Sequence, residues 1–188
     1  MRCMLVAATL LLGALPAVGA TLQERVAPCL ACHGEKGQSE NPEVPSLGAQ
    51  QQNFILVQLY MFREKLRKVE LMNEMTKGFT DDDLKAVSEF ISKLPPPNPP
   101  GDAADAARIA RAQDLVVKNR CNFCHAPTLA GQDQVPRLAA QREDYLLKTL
   151  REYKSNARYA YDAAMASVVE PMKDDEFVDL AYYIARLK

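Results

Sequence analysis

The sequence predicts an all-α chain of two tandem, similar domains, and three observations carry that prediction. Apolar residues recur at helical spacing, and no convincing period-2 strand pattern appears. The second half repeats the first at an offset that drifts only from 91 to 93 residues. Repetition at this scale means a duplicated domain rather than a solenoid. Between the copies, Leu94-Pro95-Pro96-Pro97-Asn98-Pro99-Pro100-Gly101 cannot propagate a helix and favours extended polyproline geometry. The expected organisation is a leader at residues 1–20, a first domain at 21–94, a semi-rigid linker at 95–101 and a second domain at 102–188.

The leader reads as a secretory signal. Arg2 gives a short positive start, Leu5 to Ala17 form an apolar run, and Val18-Gly19-Ala20 offers small residues at a cleavage point. The run is too short for a spanning helix and lacks a stop-transfer flank. Cys3 precedes it and leaves with it. An uncleaved anchor is the alternative. Export implies an oxidising compartment, where bare Cys-x-x-Cys pairs tend to become disulfides. The chain carries 23 basic and 24 acidic side chains, a net charge of −1, so it has no basic nucleic-acid footprint.

The helices follow in order. Gln50 to Leu66 places Phe54, Ile55, Leu59, Phe62 and Leu66 on one face. Thr80 starts another helix, with Asp83 as its acidic capping partner and Leu84, Val87, Phe90, Ile91 and Leu94 as its buried stripe. In the second half, Asp102 is placed to cap a helix running toward Asn119, lined by Ile109, Ala112, Leu115 and Val116. Gln141 to Lys154 and Asp174 to Leu187 complete the set.

Cys-x-x-Cys-His occurs in each half, at Cys29-Leu30-Ala31-Cys32-His33 and Cys121-Asn122-Phe123-Cys124-His125. This is the attachment signature of c-type haem. The cysteines form thioethers with the haem vinyl groups, and the following histidine becomes the proximal iron ligand. Each domain is therefore expected to wrap around one covalently attached haem. Phe54, Phe62, Tyr145 and Tyr153 read as core that also packs on a haem. His33 and His125 are the only histidines in the chain, and only Cys3 among the five cysteines lies outside the motifs. A backbone carbonyl near Pro45 or Pro136 is placed to accept the histidine ring N–H, a bond that fixes the imidazole and tunes the metal. The plainer role for each proline is to shape a turn.

One axial position per iron remains. With no spare histidine, the candidates are methionine or no protein ligand at all, and Met/His coordination raises the reduction potential. The first half offers Met61, Met72 and Met75, and the second Met165 and Met172. With the last helices as register, an offset of 93 takes Met72 to Met165, Met75 to Val168 and Met172 back to Phe79. Only Met72 and Met165 form an equivalent pair. Lone methionines usually pack cores, and Met61 and Met172 are assigned there. Met75 stays the rival of Met72.

The chain resembles the dihaem class I cytochromes c, in particular the cytochrome c4 family. The resemblance covers about residues 21 to 188. It rests on both Cys-x-x-Cys-His motifs, the Pro-x-Leu-x-x-Gln segments at Pro45 and Pro136, Met72-Asn73-Glu74-Met75 ahead of Gly78-Phe79-Thr80-Asp81, and Ala181-Tyr182-Tyr183-Ile184. It implies two facing all-helical domains with haems near their interface, and axial methionines at Met72 and Met165. It also implies a periplasmic electron carrier, not an enzyme, delivering electrons to redox partners such as terminal oxidases, reductase complexes or dehydrogenases. No nucleic acid or small-molecule substrate is expected, and the state is monomeric or weakly membrane-associated. In one departure from the family, only Thr21 to Pro28 precede Cys29, and the glycine usual on that first helix is absent.

Three rivals compete. Two Cys-x-x-Cys pairs can hold one zinc or act as redox disulfides, but that leaves the histidines and matched methionines unexplained. A dihaem peroxidase-like enzyme needs an open iron position and a polar distal pocket. A cytochrome subunit of a dehydrogenase differs only in its partner.

Overall fold

The computed structural model describes residues 20–158 and 162–188. The expected leader lies outside the described residues except for Ala20. Among the described residues the chain forms α1 (Leu22–His33), α2 (Gln52–Arg63), α3 (Glu70–Thr76), α4 (Asp81–Ser92), α5 (Ala106–Lys118), α6 (Cys121–Cys124), α7 (Glu143–Lys154), α8 (Ala163–Val169) and α9 (Asp174–Ala185). There are no strands among them, only an isolated bridge between Gln132 and Val135.

The duplication is visible in the helix positions. α2 and α7 are 91 residues apart, and α3/α8 and α4/α9 are each 93 apart. α1 and α2 pack on α4, while α5 and α7 pack on α9. The first core gathers Val26, Ile55, Leu59, Leu84, Val87 and Ile91. The second is larger and centres on Phe177, Leu180 and Ala181 of α9, with Leu146, Tyr153, Val169 and Met172 around them. Ala112 on α5 and Ala181 on α9 are both fully buried, and their small side chains let the two helix axes come close. Asp179 of α9 then clamps α5 through Arg108 at 3.1 Å and Arg111 at 2.6 Å. In the first domain Arg25 of α1 meets Asp83 of α4 at 3.0 Å.

The Thr80–Asp83 capping box forms as the spacing predicts. Asp102 does not cap α5. Its carboxylate accepts from Arg186 at 2.5 Å. The cap is Asp105, which accepts from the backbone N–H groups of Ala107 and Arg108 and is itself held by the Tyr182 hydroxyl on its own N–H. Leu66 lies beyond α2 and is exposed. α3 and α8, one or two turns each, have no long apolar stripe and are not legible from periodicity. α1 continues through Pro28, although proline removes one ladder bond, and carries the whole first motif. In the second domain the chain breaks at Arg120, whose φ is 55°, before α6.

The proline run is strapped to the first domain. Gln38 exchanges hydrogen bonds with the backbone of Asn98, accepting at 3.1 Å and donating at 3.3 Å, and Pro97 is buried. Gly48 lies beneath this strap. A Cβ there would stand 2.1 Å from the Pro95 carbonyl oxygen. The matching residue in the second repeat is Ala139. Gly48→Ala is expected to lift the strap and destabilise the protein by about 1–3 kcal/mol. Denaturant unfolding checks this, and unchanged stability would refute it.

Candidate functional site

Helical geometry brings the donor atoms of each motif together. In α1, Cys29, Cys32 and His33 stand at i, i+3 and i+4, on one face. In the second domain α6 carries both cysteines, and the His125 N–H donates to the Cys121 carbonyl at 3.0 Å, the same helical step. Cys29 and Cys121 are half-buried, Cys32 and Cys124 exposed, and none of the four is in a disulfide.

Both histidines are buried, each 7% exposed. His33 Nδ1 lies 2.7 Å from the Pro45 carbonyl oxygen, and His125 Nδ1 lies 2.8 Å from that of Pro136. A carbonyl can only accept, so Nδ1 carries the proton and Nε2 keeps the lone pair. Burial pushes both imidazoles down, outweighing the opposing pull of the proline carbonyls, and Asp162 also opposes it at His125. They are therefore neutral at pH 7, as a metal ligand must be. Two thiols and one oriented Nε2 on a single helix face form the donor set for thioether attachment and proximal ligation. The residues present fit a covalently attached haem in each domain.

Met72 and Met165 occupy the third positions of α3 and α8, and both are half-buried. Met75 sits at the sixth position of α3, opposite Val168 in the repeat, and is also half-buried. Met61 and Met172 are buried, Met172 inside the second core. The two short helices are held differently. Asn73, next to Met72, is buried and donates to the carbonyls of Phe62 at 2.7 Å and Arg67 at 2.8 Å, tying α3 to the end of α2. At α8, the Asp162 carboxylate accepts from the Met165 N–H at 3.0 Å. Sequence reasoning gave Asn73 and Asp162 no role, because the anchors differ between repeats and leave no shared pattern. Among the described residues no group of three or more His, Cys, Asp or Glu is placed to hold a metal ion by itself. The two cysteine pairs therefore do not meet in a zinc site.

Polar contacts join the domains. Lys148 pairs with Glu43 at 2.8 Å, Arg142 donates to the Ser39 carbonyl at 3.0 Å, and Gln51 donates to that of Ala130 at 3.0 Å. Tyr145 takes hydrogen bonds from Arg158 at 3.0 Å and Arg67, across the boundary, at 3.5 Å. Burial alone would raise its phenol, but the two guanidinium charges outweigh that and bring it down to about 8. A group depressed in the folded state adds stability that is complete above its unfolded pKa and lost as pH falls through the folded value. The contribution of Tyr145 is thus expected to grow from pH 8 to about pH 10. A ¹³Cζ titration should show one tyrosine ionising near pH 8 that vanishes in Tyr145→Phe. No tyrosine titrating below about pH 9.5 would contradict this.

Comparisons with known proteins agree with this geometry. Residues 19–95 and 109–188 each match the Cytochrome c family. Cytochrome c4 of Thiocapsa roseopersicina is 31% identical over 171 residues, covering 85% of this chain and 86% of that protein. A thiosulfate dehydrogenase electron acceptor of Thiomonas intermedia is 29% identical over 170 residues, covering 84% and 78%. The crystal structure of reduced recombinant cytochrome c4 from Pseudomonas stutzeri aligns with a TM-score of 0.80 at 26% identity, covering 89% of this chain and 97% of that one. Each family match contains one attachment motif, so the cofactors are two covalently bound c-type haems. With its duplicated helical domains, its two oriented histidines and relatives of this likeness, the chain belongs to the cytochrome c4 family of dihaem electron-transfer cytochromes.

Proposed function

We propose that the protein is a periplasmic carrier, exported by a leader at residues 1–20, that passes single electrons between respiratory partners such as a reductase complex and a terminal oxidase. Residues 21–94 and 102–188 form its two domains, with 95–101 linking them. Bound haem supplies a one-electron couple at iron. Cys29 and Cys32, and Cys121 and Cys124, are the thioether anchors. His33 and His125 are proximal ligands, and Met72 and Met165 close the opposite positions. A methionine at the same place in each domain leaves no room for a substrate at iron, which favours a carrier over a peroxidase.

The observation that carries this is the placement of Met72 and Met165 at the third residue of equivalent short helices, one for each buried histidine. A second reading, a cytochrome serving a dehydrogenase, draws on the likeness to the Thiomonas intermedia protein. It keeps every residue role and changes only the donor. Spectroelectrochemical titration of the haem-loaded protein under carbon monoxide tests the proposal. Two low-spin centres, both at positive potential and both inert to the gas, are expected. A centre that binds carbon monoxide would mean an absent methionine ligand and would sink the closed-carrier assignment.

A further inference from the structure

The Pro-x-Leu-x-x-Gln segments cross between the domains. The Gln141 side chain accepts from the Ser46 N–H at 2.8 Å and donates to the Ser46 carbonyl at 2.8 Å. The Gln50 side chain accepts from the Arg137 N–H at 2.6 Å and donates to the Arg137 carbonyl at 3.1 Å. Ser46 and Arg137 are equivalent in the repeat, as are Gln50 and Gln141, so the exchange is reciprocal. Both glutamines are buried, each 7% exposed, and Ser46 is 3% exposed. Water has little room to replace them.

The Ser46 N–H belongs to the same peptide unit as the Pro45 carbonyl that receives His33 Nδ1–H. The Arg137 N–H likewise shares a peptide with the Pro136 carbonyl that receives His125 Nδ1–H. A peptide is one conjugated plane. Hydrogen bonding at its N–H draws charge onto its oxygen and strengthens the bond accepted there. A stronger bond at Nδ1 makes the imidazole a better donor at Nε2, which favours the more positive state of a bound metal. Each histidine is therefore linked, through one peptide, to a glutamine of the other domain.

We infer that Gln141 sets the potential of the first-domain haem and Gln50 that of the second, each acting in trans as a positioning residue. This rests on the proposed ligation by His33 and His125. It gives domain docking an electronic consequence, since each haem's proximal histidine is conditioned by the partner domain.

The test uses the full-length, haem-loaded protein and NMR redox titration resolved by haem. Gln141→Leu is expected to raise the first-domain midpoint, by about two- to fivefold in the ferrous-to-ferric ratio at fixed potential. In the reduced protein it should move the His33 Nδ1–H resonance upfield and leave that of His125 in place. Gln50→Leu should give the mirror result. Gln141 Oε1 also accepts from the Arg142 N–H at the start of α7, at 3.0 Å. A purely structural role would therefore disturb the glutamine's own domain. Gln141→Glu keeps an acceptor oxygen and should not raise the midpoint. The inference is overturned if each leucine variant shifts its own domain's haem or neither, or if Gln141→Glu raises the midpoint as Gln141→Leu does. Ring-current-shifted imidazole protons in the wild type report ligation itself. Their absence would remove the ligand assignment, whereas their presence with an unmoved Nδ1–H in the leucine variant removes the crossed tuning alone.

Discussion

Cys121→Ala combined with Cys124→Ala is expected to leave the second domain unfolded while the first stays folded. Both thiols sit on α6, a single turn of helix that depends on its neighbours for its position. The chain contains no tryptophan. Around the second core, Leu115, Leu138, Leu147, Leu150 and Met165 are only partly buried, and a haem packed against such side chains would remove apolar surface from water. Covering a few hundred Å² at about 25 cal/mol per Å² supplies on the order of 10 kcal/mol. That is comparable with the whole stability of a small domain, about 5–15 kcal/mol. Limited proteolysis with mass mapping separates the outcomes. Cleavage is expected throughout 102–188 and not in 21–94. A protease-resistant second domain in a protein bearing one haem would show that its own side chains suffice.

Met72→Ala is expected to lower the potential of one haem and open that iron to carbon monoxide, with the other haem unchanged. Met72 is half-buried and outside the first core cluster, so folding should survive the truncation. The thioether it removes is the group that favours ferrous iron. A fall of at least about 59 mV, a tenfold change for one electron, is expected. An unaltered spectrum and potential would instead assign the role to Met75, three residues along the same helix. Met165→Ala should act on the second haem alone.

Legibility in the sequence tracked the range of the interaction. The capping box at Thr80 was readable because its partners are three residues apart and the same bonds form in any helix. The histidine–proline bonds were one of two roles open for the paired prolines, and the structure shows them at both. The cap of α5 was misplaced by three residues, since Asp102 and Asp105 offer the same chemistry. The choice was made by Arg186 and Tyr182, both near the chain's end. The repeat paired Gln50 with Gln141, yet nothing local says that each reaches across to the other domain.

By itself the sequence determined the two attachment motifs, the helical class, the duplication and the pairing of Met72 with Met165. These depend on covalent chemistry, on a 3.6-residue period and on self-comparison, none of which needs a third dimension. Only the tertiary structure decided that α1 runs unbroken through Pro28, that the proline run is strapped over Gly48, and that the glutamines cross between domains. Each of these depends on groups brought together by docking, some more than 80 residues apart, where closeness is set by how two finished surfaces fit rather than by any local propensity.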